Sequence, residues 1–192
     1  MLRTTLIAAI ATAGLFGFQA AHAKPAHAAS SEAAAIETAP CSVSGVTNAD
    51  EDLAKQLSPK LKQGLDGYQV SCARAVVDQV KHRGLDERAA TIAVATTRVE
   101  GNIHNYTRAV DYDSLGLFQQ RPSAGWGTAA QITDPAHATD AFLNRMQELY
   151  PHDGWKGAPV GDVAQRVQVS AFPDRYGTQA KDAATIVAGL WA

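Results

Sequence analysis

The 192 residues carry 17 Lys and Arg against 19 Asp and Glu, a formal net charge of −2 at pH 7. That balance argues against a nucleic-acid partner, which would favour a basic face. It says little about a neutral or mildly charged polysaccharide.

The first 23 residues read as an export signal. Arg3 and the amino terminus make a positive start, LIAAIATAGLFGF is an apolar run too short to span a bilayer comfortably, and Ala21-His22-Ala23 has the small-x-small pattern of a cleavage site. The competing reading is an uncleaved membrane anchor. Cleavage would leave a secreted chain starting near Lys24, extracellular or at the cell wall, with no stable membrane insertion. Residues 24–50 are rich in Ala, Ser, Pro and Thr and poor in large apolar side chains. Such a segment buries too little surface to offset its ordering entropy, so most of it reads as a disordered linker. Residues 51–192 then form one domain, expected to be a monomer. In an exported chain the two cysteines, Cys41 and Cys72, are expected to pair, closing a loop worth roughly 3–4 kcal/mol in the chain-entropy model.

The domain reads as mainly α. Leu53, Leu57 and Leu61 give a short amphipathic pattern interrupted by Pro59 and stopped at Gly64. Tyr68 to His82 carries one apolar stripe with Gly84 at its C-cap. Asp86 is an N-cap for Glu87 to Val99, a small-residue helix expected at the centre. From Gly101 to Asp134 the helical period is lost and Gly, Asn, Asp, Ser and Pro recur. So long an irregular stretch inside a compact domain points to function. It is expected to hold a small hairpin, with LGLFQQ as one extended arm. Asp134-Pro135 starts a helix to about Tyr150. Val160 to Ala171 and Lys181 to Leu190 read as the last two.

Glu100 follows Ala93 by seven residues and Ile92 by eight, which keeps it on or beside the apolar stripe. Burial there penalises the charged form and raises the carboxyl pKa, as a general acid needs near neutral pH. A solvated glutamate at a frayed helix end is the alternative. Thirteen residues on comes Asp113-Ser114-Leu115-Gly116-Leu117-Phe118-Gln119-Gln120. Gly116 permits close backbone approach to a ligand, the two glutamines suit hydroxyl and N-acetyl groups, and Trp126 offers a flat face for a sugar ring or packs in the core.

This pattern resembles the soluble lytic transglycosylase family of lysozyme-like proteins, whose signature runs Glu-Ser, Gly-Leu-Met-Gln and Ala-Tyr-Asn. Glu100 matches the glutamate, and Gly116-Leu117-Phe118-Gln119 the second motif with Phe for Met. A closer resemblance is to secreted actinobacterial lysozyme-like proteins carrying D-S-L-G-L-F-Q-Q-R-P-S-x-G-W-G, then a D-P helix start and V-Q-x-S-A-[FY]-P-D-x-Y. These are Asp113–Gly127, Asp134-Pro135 and Val167–Tyr176, a match over roughly residues 68–177. Gly101 stands where the family has serine, and Ser170-Ala171-Phe172-Pro173 where it has Ala-Tyr-Asn. Tyr176 is the candidate for the missing hydroxyl.

The resemblance implies an α+β lysozyme-like domain, mainly helical, with the irregular loop or small hairpin lining a cleft. It implies peptidoglycan glycan strands as partner, no cofactor and no metal. Glu100 would be the catalytic acid, and Gly116, Leu117, Phe118, Gln119, Gln120, Trp126 and Tyr176 would bind substrate. The reaction implied is cleavage of the MurNAc-β-1,4-GlcNAc bond to a 1,6-anhydro end. Hydrolysis is the competing chemistry and needs a second carboxylate; Asp111 and Asp113 are candidates, though both read better as turn formers, and Asp174 as a helix-end residue. Arg121 reads as Asp113's partner rather than a ligand for an acidic peptide or lactyl group, and His104 as a solvated loop residue. A catalytically silent wall-binding module on the same fold and an unrelated secreted interaction protein are the non-enzymatic alternatives.

Overall fold

Local signals set the helix boundaries. In the computed structural model, which describes residues 37–109 and 111–191, seven α-helices occur among the described residues: α1 (Asn48–Leu57), α2 (Gly67–His82), α3 (Glu87–Gly101), α4 (Ala129–Ile132), α5 (Pro135–Leu149), α6 (Val160–Gln168) and α7 (Asp174–Trp191). The expected export signal, and residues 24–36 of the expected linker, lie outside the described residues. Capping boxes start three helices: Thr47 with Asp50, Asp66 with Gln69, and Thr128 with Gln131. Asp86 and Asp134 cap α3 and α5, and Pro135 occupies the first turn of α5.

α3 is central. It packs most extensively against α7 and also against α2, α5 and α6. Ala89, Ala90, Ala93 and Ala95 are fully buried, so neighbours approach it closely on several sides. Beneath its last turn Arg98 and Asp182 form a buried ion pair at 3.5 Å; the Lys62 amide also donates to that carboxylate (3.0 Å). A buried pair needs such extra hydrogen bonds to offset its desolvation. α6 and α7 meet at Gly161: a Cβ there would lie 2.6 Å from the Gly177 nitrogen.

Five expectations are corrected. The last helix begins at Asp174 rather than Lys181, because its first turns carry Gly177 and the polar Thr178 and Gln179, which hide the period while burying Tyr176. α6 stops at Gln168 because Val169 adopts a left-handed conformation (φ 54°). α4 lies within the stretch read as irregular.

The fourth correction concerns the expected linker of residues 24–50, whose described part, from residue 37 on, is structured. Cys41 is buried and disulfide-bonded to Cys72 of α2, and the preceding residues pair with the loop after α3. The Ala39 amide donates to Asn105 (2.9 Å) and the Thr107 amide to Glu37 (3.0 Å). Antiparallel bridges run Thr38 to Tyr106 and Tyr106 to Gly116. The composition of 24–50 hid this, since backbone bonds and one cysteine, not apolar side chains, fix the segment.

No strand longer than such bridges occurs among the described residues. The expected hairpin is a tight turn closed by a Leu115–Gln120 bridge, so LGLFQQ is the turn itself rather than one arm. No helix of the described residues is long and apolar enough to cross a membrane.

Candidate active site

Glu100 sits in the last turn of α3, and the chain leaves that helix at once. Asn102 (φ 50°) and Ile103 (φ 58°) are both left-handed, and the Ile103 amide closes a six-residue bond to the Thr97 carbonyl (3.0 Å). Positive φ is costly for a β-branched residue, so tertiary packing holds it there; Ile103 is fully buried. The sharp stop leaves Glu100 half-buried, facing residues brought from far along the chain.

The Tyr176 hydroxyl donates a hydrogen bond to Glu100 Oε1. Burial raises the Glu100 pKa, while the Tyr176 bond, the charge of Arg175 and the Gln168 amide pull it back. Burial and the adjoining carboxylate hold the Tyr176 hydroxyl far above its usual pKa, so it remains a donor. Gln168, at the end of α6, also donates to the Phe118 carbonyl (2.8 Å), tying the loop to α6 across the site.

A pocket of about 240 Å³ opens beside Glu100, lined by Phe118, Gln119, Arg121, Ala124, Trp126, Gln168 and Ser170. A second, of about 500 Å³, adjoins it through Ala124, Trp126 and Gln168 and continues along α5 past Asn144 and Arg145. Gln119, held left-handed at φ 48°, donates its amide to the Gly116 carbonyl (2.9 Å). Its side-chain oxygen takes no donor among the described residues.

The expected site residues divide. Glu100, Phe118, Gln119 and Trp126 come together at the pocket. Tyr176 joins from beneath; being fully buried, it acts on Glu100 rather than on a ligand. Leu117, Gln120 and Gly116 do not line the pocket. Leu117 is fully buried, and Gln120 donates to the Ala138 carbonyl (3.2 Å) from within the core. Gly116 (φ 71°) permits close approach to protein, not ligand: a Cβ there would lie 2.2 Å from the Ile132 carbonyl oxygen.

Asp113 is a staple. It accepts from Arg121 Nε (2.8 Å), the Ser123 amide (2.7 Å) and the Ser123 hydroxyl (2.9 Å), which hold its pKa far below the usual carboxylate range. The sequence reading of Arg121 as its partner holds, although Arg121 also lines the pocket. The Asp111 backbone carbonyl accepts the Ser114 amide in a turn (3.2 Å), and Asp174 opens α7. His104 is not a solvated residue: it packs between Tyr68 and Tyr106 and donates from Nδ1 to the Asn102 carbonyl (2.8 Å). Gly101 has a physical reason to lack a side chain, since a Cβ there would lie 2.8 Å from the Tyr106 ring.

Sequence reasoning missed Gln168 and Ser170, although both stand in the downstream motif. Helical period alone placed them on a continuing helix. Among the described residues no group of three or more His, Cys, Asp or Glu is arranged to hold a metal ion. Compared with models of known protein families the chain matches none, and no curated protein matches it significantly.

Proposed function

We propose that this chain is an exported peptidoglycan-cleaving enzyme of lysozyme-like fold, a lytic transglycosylase in which Glu100 is the single catalytic carboxylate. The observation that carries the reading is the setting of Glu100: a carboxyl raised in pKa by burial, oriented by Tyr176, and the only carboxylate among the described residues lining its pocket, while Glu148 in the adjoining pocket is paired with Arg145 (2.8 Å). The two adjoining pockets act as the cleft for a glycan strand, with Trp126 as the sugar-stacking face and Gln119 as the partner for N-acetyl and hydroxyl groups. The disulfide suits an oxidising compartment outside the cytoplasm.

Protonated Glu100 donates to the glycosidic oxygen as the bond from the muramic acid C1 breaks. The resulting carboxylate then takes the proton of the C6 hydroxyl as that oxygen attacks C1. Ring closure gives the 1,6-anhydro end, Glu100 is protonated again, and no water is consumed. Tyr176 stays protonated throughout and fixes the carboxylate's orientation as its charge changes. Hydrolysis would need a second carboxylate poised to activate water, and Asp113 is engaged on both oxygens by Arg121 and Ser123.

The test compares mature protein with Glu100→Gln on purified peptidoglycan, measuring sedimentation with the wall and release of soluble fragments. The expected result is binding by both and release by the wild type alone. Binding by both with release by neither would replace the enzyme with a silent wall-binding module. Failure of both to sediment would remove peptidoglycan as the partner.

A further inference from the structure

The connection between α6 and α7 presents apolar side chains to solvent beside the Glu100 pocket. Val169 is 77% exposed and Phe172 is 56% exposed. Val169 lines the second pocket and Ser170 the first. Val169 is also held left-handed (φ 54°), a conformation that a β-branched residue keeps only under constraint.

Arg121 lines the pocket and Arg175 follows the segment that lines it at Ser170; the two differ. Arg121 lies 4.6 Å over the Tyr112 ring and is neutralised by Asp113. Arg175 lies 4.1 Å over the Phe172 ring, but it takes part in no ion pair among the described residues. The turn is braced: the Phe172 amide donates to the Ser170 hydroxyl (3.2 Å) and the Arg175 amide to the Phe172 carbonyl (3.3 Å). Stacking fixes the guanidinium plane and leaves its N–H edge available. That is a pre-organised fork for a carboxylate. Arg175 is near enough for its charge to act on Glu100.

We propose that the Arg175–Phe172 pair is a carboxylate-recognition element of the strand-binding surface, selecting glycan that bears acidic substituents over neutral glycan. The inference rests on the peptidoglycan reading and deepens it. The carboxylate has two sources in such strands: the stem peptides, or the lactyl group once its peptide is removed. Phe172 serves as the platform and excludes water from one face of the guanidinium. Arg121, already paired, does not substitute for it.

The experiment measures binding in a Glu100→Gln background, so that strands stay intact. Three ligands are compared: peptide-bearing strands, strands stripped of peptide, and a neutral chitin oligomer. Arg175→Gln weakens the carboxylate-bearing ligands about tenfold, the loss of one charge-assisted bidentate contact, and the chitin oligomer by less than twofold. Arg175→Lys restores part of the loss, and Phe172→Ala reproduces part of it. An effect confined to peptide-bearing strands assigns the carboxylate to the stem peptide; an effect on stripped strands as well assigns it to the lactyl group. Arg175 is exposed, so all variants should keep the parent's thermal midpoint. Equal weakening of all three ligands, or none, overturns the inference while leaving the peptidoglycan reading in place. If the parent binds none of the muramic acid strands, that reading falls and takes the inference with it.

Discussion

At Glu100 two influences oppose each other. Burial favours the neutral acid, whereas the Tyr176 hydroxyl bond favours the charged carboxylate. The proposed acid step needs the protonated form, so the expected activity falls as pH rises through the Glu100 pKa. Removing the hydroxyl with Tyr176→Phe takes away an influence that lowers that pKa, so the alkaline limb moves to higher pH. Turnover drops at the same time, about 10- to 100-fold for a hydrogen bond to a charged group, because the carboxylate loses its orientation. A pH–rate profile of the variant checks both effects; a limb that stays in place contradicts the role given to Tyr176. The sequence made Glu100, Gln119 and Trp126 legible because helix phase and local residue chemistry are short-range signals. Leu117 and Gln120 were misassigned because a turn motif does not reveal which side chains it points inward. The contact between Glu100 and Tyr176 spans 76 positions, and no local pattern encodes it.

Between elements, the site depends on how closely α6 and α7 approach. Gly161 makes that approach possible, and the two helices deliver Gln168 and Tyr176 to Glu100. Gly161→Ala forces backbone apart, and overpacking of this kind costs about 1–3 kcal/mol. The expected outcome is a lower thermal midpoint together with a fall in fragment release larger than the stability loss alone accounts for. Unchanged melting and unchanged release would show that the helices tolerate wider spacing. The central role of α3 was readable from its alanine-rich pattern. The first turns of α7 were not, since Gly177, Thr178 and Gln179 look like loop chemistry until Gly177 is seen facing Gly161.

Across the whole molecule, the segment from Glu37 to Cys41 braces the loop that follows Glu100. It is anchored at one point by the Cys41–Cys72 disulfide and by backbone bonds to Asn105 and Thr107. Replacing both cysteines by serine should cost about 3–4 kcal/mol, the loop-closure contribution for a separation of 31 residues. Hydrogen exchange at the Ala39, Thr107 and Gly116 amides should speed up more than exchange in α3, because those bonds lose their tether first. Uniform acceleration across the domain would mean the bracing segment folds with the core and has no separate hold on the loop. The mainly α character was legible from period and caps. The bracing was not, because it rests on backbone pairing that amino-acid composition does not report.

The central claim is that one carboxylate, Glu100, cuts a glycan strand without water. The most direct test is digestion of purified peptidoglycan in water enriched in oxygen-18, with product masses read by mass spectrometry. The account predicts anhydro-ended fragments lacking the heavy label, formed by the wild type and absent with Glu100→Gln. Fragments with reducing ends carrying the label would contradict it, and would assign the cleavage to hydrolysis.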